Sequence, residues 1–251
     1  MNSVLTIAKR EIFAFFVSPI AYVVLTVWLL FFGIVFYILA LVFAQQAGVG
    51  ASETNLLTAF FGGTTLFYLP LLVFAPVMTM RLLAEERSSG TIEPLLTAPV
   101  SEVSVVLGKY LAALTFWCVL WAPTLSYVWL VASSGEHVVD WGAIGCTYLG
   151  LFAIGAFYMA VGLFMSAVAR NQIVAAMLTF LVLGGLFVIG LAGYANVGDE
   201  MRAIFEYVGL WTQMAAFAKG IVDTRYLVYD LTVVILSLYL SVQALQTDRG
   251  A

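Results

Sequence analysis

The chain changes character between residues 81 and 102, where it reads RLLAEERSSGTIEPLLTAPVSE. This polar segment carries six of the chain's charges and separates two long apolar runs. It also contains residues typical of helix ends, Gly90 and Pro99, and a residue typical of a helix start, Thr91. A simple connection between two apolar helices would not need these signals. We therefore interpret the segment as structured helix outside the membrane.

The composition indicates an integral membrane protein. Of the 251 residues, 63% are hydrophobic and 10% are charged, whereas soluble domains carry about 25% charged residues. The net charge of −4 is spread thinly, and no basic stripe indicates nucleic acid as a partner. Cys118 and Cys146 lie in apolar runs without CxxC spacing, and the single histidine is His137. We therefore expect neither a disulfide nor a metal site.

Stretches without Asp, Glu, Lys or Arg locate the membrane spans. They cover residues 12–52, 54–80, 110–135, 141–169, 171–198 and 231–247. A helix needs about 20 apolar residues to cross a bilayer, and the stretches lack the alternation that a closed β-barrel requires. We therefore predict an all-α membrane protein with six spans, at about 19–43, 58–81, 104–132, 143–169, 172–193 and 227–246.

The apolar character of these spans narrows the class of protein. We expect their cores to contain no Asp, Glu, Lys or Arg, and secondary transporters usually keep such residues as proton relays or ion sites. This expectation argues against a secondary transporter. Pro70, Pro76 and Pro123 predict kinks, and small residues four apart, such as Gly162 and Ser166, predict close helix packing.

The distribution of Lys and Arg predicts that both termini are cytoplasmic. Only Arg202, Lys219 and Arg225 would then lie outside, in the loop 194–226. That loop contains a 12-residue apolar patch, 207–218, which is too short to span a bilayer. We expect it to form an interfacial or partly re-entrant helix. The basic residues expected inside are Lys9, Arg10, Arg81, Arg87, Lys109, Arg170 and Arg249.

Residues 2–16 show the pattern of an amphipathic helix. We predict that this helix lies along the inner leaflet; the alternative is a cytoplasmic extension of the first span. The apolar side would be formed by Val4, Ala8, Ile12, Phe15 and Phe16, opposite Thr6, Lys9 and Arg10.

The polar segment predicts a helix, a stop, a short helix and a second stop. Span two would continue through residues 84–87 and end at Gly90 in a left-handed conformation. Thr91 would then cap a short helix that carries Glu93 in its first turn and ends at Pro99. Its apolar tip would be Leu95 and Leu96. The residues alone leave two interpretations open, an interfacial anchor for the loop and a docking helix for a partner.

The enzymatic alternatives lack necessary residues. Intramembrane glutamate proteases pair two glutamates with an arginine four positions after the first and with histidines that activate water. Here Glu85 and Glu86 are followed by Ser89 at that position, and His137 is predicted on the opposite side. The chain also has no GxxxxGK[ST] phosphate loop. We therefore expect no catalytic residue and no cofactor bound by this chain.

Two stretches resemble a known family. Residues 85–101 read EERxxGTIExLLTxPVS, with x for the remaining positions, and resemble the hallmark segment of type-2 ABC exporter permeases. Residues 217–230, FAKGIVDTRYLVYD, resemble the segment that precedes the last helix in gliding-motility-associated and nitrous-oxide-reduction permeases. The chain resembles that branch most, and the resemblance covers essentially its whole length.

The resemblance implies a permease subunit of an ATP-driven exporter in the bacterial cytoplasmic membrane. Two permease chains would pair, identical or different, and each would dock a cytoplasmic ABC ATPase that binds ATP and Mg. An extracytoplasmic accessory subunit is a further implied partner. The substrate stays unassigned. The alternative function is a membrane transducer that passes ATPase motion to outer partner proteins without carrying a solute.

The resemblance also assigns a role to the coupling segment, residues 84–100. It would sit in a cleft of the ATPase, with charged residues in ion pairs and two leucines as buried anchors. The implied coupling residues are Glu85, Glu86, Arg87, Gly90, Thr91, Glu93, Leu95, Leu96 and Pro99.

Overall fold

The structure, a computed structural model, describes residues 2–46, 55–63, 65–90, 101–133, 139–192, 201, 205 and 207–250. The regular secondary structure of these residues is helical. A short 3-10 turn at Ala122–Thr124, which contains Pro123, joins the sixth and seventh helices. The helices are α1 Asn2–Val17, α2 Pro19–Gln46, α3 Leu56–Gly62, α4 Thr65–Thr79, α5 Ala84–Ser88, α6 Glu102–Trp121, α7 Leu125–Ser133, α8 Trp141–Val168, α9 Gln172–Ala192, α10 Leu210–Ala218 and α11 Thr224–Gly250.

Five helical segments are long and apolar enough to cross a membrane. They are α2, the joined pair α6 and α7, α8, α9 and α11. Helices α3 and α4 make a sixth candidate if they are counted as one span, bent by 46° between them. The predicted all-helical class is thereby confirmed, and the described residues contain five candidate spans, or six with the bent pair, where six were predicted.

Helix α8 is the centre of the bundle. It packs against α11, α9, α10, α6 and α4, and 67% of its most apolar window is buried, against 22% for α2, α9 and α11. Small residues make this packing close, because Gly155 faces the Trp117 indole and Gly162 faces Thr79. The predicted close packing around Gly162 is therefore present within one chain.

An aromatic core joins α2 to the rest of the bundle. Trp28 is fully buried. Its ring centroid lies 4.5 Å from that of Phe32 and 4.9 Å from that of Trp121. Phe67 extends the cluster from α4 and lies 5.3 Å from Trp121. Burial of several large rings makes this cluster a major source of apolar stabilisation.

Helix α1 lies along α6. Its Phe15 ring stacks on Phe116 at 5.2 Å, and Gly108 leaves room for Ile7 to approach the α6 backbone. Phe13, on another side of α1, is 71% exposed. The helix thus has one face packed on the bundle and apolar groups on a second face. Its expected position on the inner leaflet stays a prediction.

Helix α10 packs into the bundle, against α3, α8 and α9. The Trp211 ring stacks on Tyr68 of α4 at 5.1 Å, and Phe217 is fully buried against Gly150 of α8. The sequence predicts either an interfacial or a partly re-entrant helix for the apolar patch 207–218. The contacts with α3, α8 and α9 favour the partly re-entrant arrangement.

The expectation that the span cores contain no ionisable residue is wrong. Lys109 lies within the candidate span Glu102–Ser133 with a side-chain exposure of 2%, and Asp230 lies within Thr224–Thr247 with 3% exposure. The charge-free stretches begin immediately after these two residues, at 110 and 231. Both helices continue through the charged residue because packing with other helices buries it.

Candidate functional site

The coupling segment begins with an unexpected helix break. Helix α4 ends at Thr79 and α5 begins at Ala84, so the prediction that span two continues to residue 87 is wrong. The Oγ of Ser166 in α8 accepts hydrogen bonds from the backbone N–H groups of Leu83 and Ala84, each at 3.0 Å. The same hydroxyl donates to the Met80 carbonyl at 3.3 Å.

The Ser166 hydroxyl takes the place of backbone hydrogen bonds that a continuous helix would make here. In a continuous helix the Ala84 N–H would bond to the Met80 carbonyl. A side chain that inserts between the two groups is a known cause of a sharp bend. Ser166 is fully buried, and it therefore fixes the start of α5 directly to the central helix α8.

A buried ion cluster fixes α5 to two more helices. The Lys109 Nζ of α6 lies 2.8 Å from Glu86 Oε1 of α5 and 3.5 Å from Glu11 Oε1 of α1. Arg10 of α1 lies 2.7 Å from Glu11 and 3.8 Å from Glu86. We call these four residues the Lys109 cluster. Its two cations and two carboxylates balance in charge.

The charge balance explains how Lys109 is accommodated. A buried ammonium group is costly unless it is paired and hydrogen-bonded, and Lys109 is 2% exposed beside carboxylates that are 15% and 19% exposed. The pKa of Arg10 lies above its ordinary value, chiefly because its side chain hydrogen-bonds to Glu11, while partial burial opposes this shift.

A second ion pair ties α5 to the junction of α1 and α2. The Arg81 guanidinium makes a two-point contact with Glu85, at 2.8 Å and 3.2 Å. It also donates to the Ser18 hydroxyl at 3.3 Å. The pKa of Arg81 is raised chiefly by its hydrogen bond to Glu85, and desolvation partly opposes this. Arg87 donates to the Ala169 carbonyl, after the end of α8, at 3.2 Å.

Four of the nine predicted coupling residues lie in the described part of the chain and five lie outside it. Glu85, Glu86 and Arg87 all contact their own chain in this structure, and their pairing with an ATPase stays a prediction. Gly90 has the left-handed conformation that was predicted, with φ of +70°. Apart from its chain neighbours, no described residue has an atom within 4 Å of a Cβ built at Gly90, so conformation, and not space, favours glycine there. Outside the described residues are Thr91, Glu93, Leu95, Leu96 and Pro99.

Lys109 and Ser166 are site residues that the sequence analysis did not identify. A lone lysine inside an apolar run is a detectable signal, because lysine is almost never fully buried unless it is paired. Glu86 and Glu11 were available partners in the sequence. Ser166 gave a weaker signal, since the small-residue spacing with Gly162 predicted packing and not capping.

This arrangement can transmit force. Helix α5 is held by Ser166 of α8, by Lys109 of α6 and, through Arg81, by the α1–α2 junction. A displacement of α5 would therefore act on α8, α6, α1 and α2 together. In the described ranges, no group of three or more His, Cys, Asp or Glu is placed to hold a metal ion.

Comparison with known proteins identifies the family to which the chain belongs. The sequence profile of the ABC-2 family transporter proteins matches residues 5–246, nearly the whole chain. Among individually curated proteins, none matches this chain. The length of the profile match, together with the multi-span helical bundle, shows that the chain belongs to the ABC-2 family of transporter proteins.

Proposed function

We propose that this chain is the permease subunit of an ATP-driven exporter and that residues 84–100 couple it to a separate ATPase. Proteins of the ABC-2 family are transmembrane subunits that typically work with an ATPase subunit. The chain has no phosphate loop of its own. ATP and Mg would therefore be bound by the partner ATPase, and this chain would contribute the moving part.

The observation that carries the proposal is the attachment of α5. A coupling helix transmits displacement only if it is firmly attached to the membrane helices. Two backbone N–H groups at the start of α5 donate hydrogen bonds to Ser166 Oγ of α8. Helix α5 is attached to α6 by the 2.8 Å contact between Lys109 and Glu86. Motion of α5 would therefore act directly on the central helix α8.

The charge distribution supports a cytoplasmic position for this segment. Arg10, Arg81, Arg87 and Lys109 meet at the end of the bundle where α1, α5 and α6 join. Basic residues near membrane spans favour the cytoplasmic side. We therefore place both termini in the cytoplasm of a bacterium and the protein in its inner membrane.

The apolar surface supports both lipid contact and pairing with a second permease chain, identical or related. Large apolar side chains are exposed along three helices with little buried surface, and wide exposed apolar patches mark membrane or protein interfaces. They include Ile34 of α2, Met177 and Leu181 of α9, and Ile235 of α11.

The test is site-directed crosslinking in native membranes. Leu95→Cys, labelled with a short photocrosslinker, is expected to capture a Walker-type ATPase. Ile221→Cys is the matched control, because Ile221 is 58% exposed and belongs to the predicted outer loop. Mass spectrometry identifies the captured chains.

Each outcome bears on a separate part of the proposal. Capture of the ATPase from Leu95→Cys alone would support both the coupling role and the orientation. Capture from Ile221→Cys would overturn the orientation. A properly inserted Leu95→Cys protein that captures no ATPase would overturn the coupling role.

A further inference from the structure

A buried polar pair lies apart from the coupling segment. Asp230 of α11 is 3% exposed and Gln213 of α10 is fully buried. The two side chains interact, but they have not closed a hydrogen bond of standard geometry. In the described part of the chain, neither carboxyl oxygen of Asp230 and neither amide heavy atom of Gln213 has a hydrogen-bond partner. Four polar atoms are therefore left to satisfy.

The described titratable groups around Asp230 are phenols and not cations. Tyr158 of α8 and Tyr229 of α11 are the titratable groups that interact with the Asp230 carboxyl. The Tyr207 ring lies 5.6 Å from Tyr229. At the start of α11, Arg225 is already paired with Asp223 at 2.7 Å. Among the described residues, no Lys or Arg makes an ion pair with Asp230.

An ionised Asp230 does not suit this position. A buried charge without a partner is far more costly than a buried neutral group. The carboxylate is also an acceptor only. It could receive a hydrogen bond from Gln213 Nε2, but Gln213 Oε1 would be left without a donor. The ionised form therefore leaves both a buried charge without a counter-charge and Gln213 Oε1 without a hydrogen-bond donor.

The neutral acid solves both problems. Its O–H donates to Gln213 Oε1, and Gln213 Nε2 donates to the other Asp230 oxygen. Small side-chain movements would close this two-bond pair, and all four polar atoms would then be satisfied. The proton is also the smallest possible ligand, which fits a pair that is almost completely buried.

We propose that Asp230 and Gln213 form a proton-binding site that holds one proton on Asp230 while α10 is seated in the bundle. Gln213 is carried by α10, a helix of only nine residues. If α10 moves away, Asp230 loses its amide partner and meets water, and its proton passes to that water. This inference goes beyond the coupling role and does not depend on it.

The proposal sets the direction of the pH dependence. An exposed Asp is ionised above a pH of about 4. Above that pH the seated state binds one proton more than the open state. The seated state is therefore weakened as the pH rises, by up to about tenfold in the equilibrium constant per pH unit.

Infrared difference spectroscopy of the full chain in lipid nanodiscs tests the protonation state. At neutral pH the spectrum of the wild type minus that of Asp230→Asn is expected to contain the carbonyl band of a protonated carboxylic acid. Asp223→Asn is the matched control, because this partly exposed carboxylate is paired with Arg225. Its difference spectrum should contain carboxylate bands instead.

Carboxylate bands from Asp230 at neutral pH would overturn the proposal. A pH series on the wild type alone serves the same purpose if the Asp230→Asn protein does not fold. The protonated-acid band should then persist well above a pH of about 4, where exposed carboxyl groups are ionised. Its disappearance together with the exposed groups would equally overturn the proposal.

Hydrogen exchange of residues 209–218 tests the link to α10. After correction for intrinsic exchange, the wild type should exchange up to about tenfold faster for each unit of added pH. Asp230→Asn keeps both hydrogen bonds of the pair and has no proton to lose, so its corrected rate should stay constant. Identical pH responses in the two proteins would overturn the link.

Discussion

Lys109 and Asp230 are both buried ionisable residues in candidate membrane spans, but their surroundings are opposite. Lys109 has two carboxylates within 3.5 Å, whereas Asp230 interacts with an amide and two phenols. A charge is tolerated at the first position because counter-charges replace the lost water. The second position favours a neutral group, because nothing in its described surroundings compensates a charge.

The two positions also differ in how firmly they are held. The Lys109 cluster joins α1, α5 and α6, and Ser166 fixes the same α5 to α8. The partner of Asp230 lies on α10, a helix of nine residues. Ionic contacts therefore hold α5, whereas α10 is held by apolar packing and has this neutral polar pair.

The largest expected effect is that of Lys109→Met. It would leave Glu86 and Glu11 facing each other without the central cation, and breaking a largely buried ion pair in this way costs about 3 kcal/mol. Chemical unfolding of the purified protein in detergent measures this loss. Arg225→Met is the control, because it breaks an exposed pair and should change stability little.

A double variant sharpens the same comparison. Lys109→Met combined with Glu86→Gln removes one of the two carboxylates that lose the Lys109 contact, and it should recover part of the lost stability. If the double variant is as unstable as the sum of its single changes, the ion pair between Lys109 and Glu86 does not carry the effect.

Ser166→Ala is expected to have the second largest effect. It removes the acceptor for two buried N–H groups, those of Leu83 and Ala84, and should cost about 2 kcal/mol. Ser126→Ala is the matched control, since the exposed Ser126 hydroxyl donates to the Pro123 carbonyl three residues earlier. Equal unfolding free energies for the two variants would show that Ser166 does not hold α5.

Gln213→Leu should cost somewhat less, about 1 kcal/mol, because it leaves the Asp230 carboxyl without its partner. The loss should be measured on the acidic side of neutrality, where the neutral pair is complete in the wild type. Gln243→Leu, at an exposed position of α11, is the control and should be nearly neutral. A stabilising Gln213→Leu change would indicate that the amide and the acid do not pair.

The smallest expected effect is that of Gly90→Ala. A Cβ at φ of +70° resists the left-handed conformation and costs about 1 kcal/mol, expressed as faster hydrogen exchange in residues 85–90. Gly145→Ala is the control, since that glycine also has open space around its Cβ but no positive φ. Equal exchange in both variants would contradict a conformational requirement at Gly90.

Much of the fold was predictable because it depends on local sequence. Long runs without charged residues indicated helices that span the membrane. Helix starts are also local, as at Ser101, an N-cap residue whose hydroxyl accepts a hydrogen bond from the Ser104 N–H at 3.3 Å. Gly90 was identified from its type and position, because glycine favours the left-handed end of a helix. These signals act within a few residues of the chain.

The candidate site was predictable only in part. Glu85, Glu86 and Arg87 were identified as important charges, but an external partner was expected for them and the structure shows internal contacts. Lys109 was treated as one of several basic residues on the cytoplasmic side. Its partner Glu86 is 23 residues away, and no local pattern connects the two.

The sequence by itself determined that this chain is an all-helical membrane protein with a polar, capped segment after the second apolar run. Hydropathy and helix signals are properties of neighbouring residues, so they survive without knowledge of the fold. Only the tertiary structure decided where that segment bends and which buried charges are compensated. Ser166 breaks the helix at Leu83 from 83 positions away, and Asp230 meets Gln213 because α10 packs inward. Such contacts depend on which distant surfaces pack together, since burial turns an ordinary polar side chain into one that must find a specific partner.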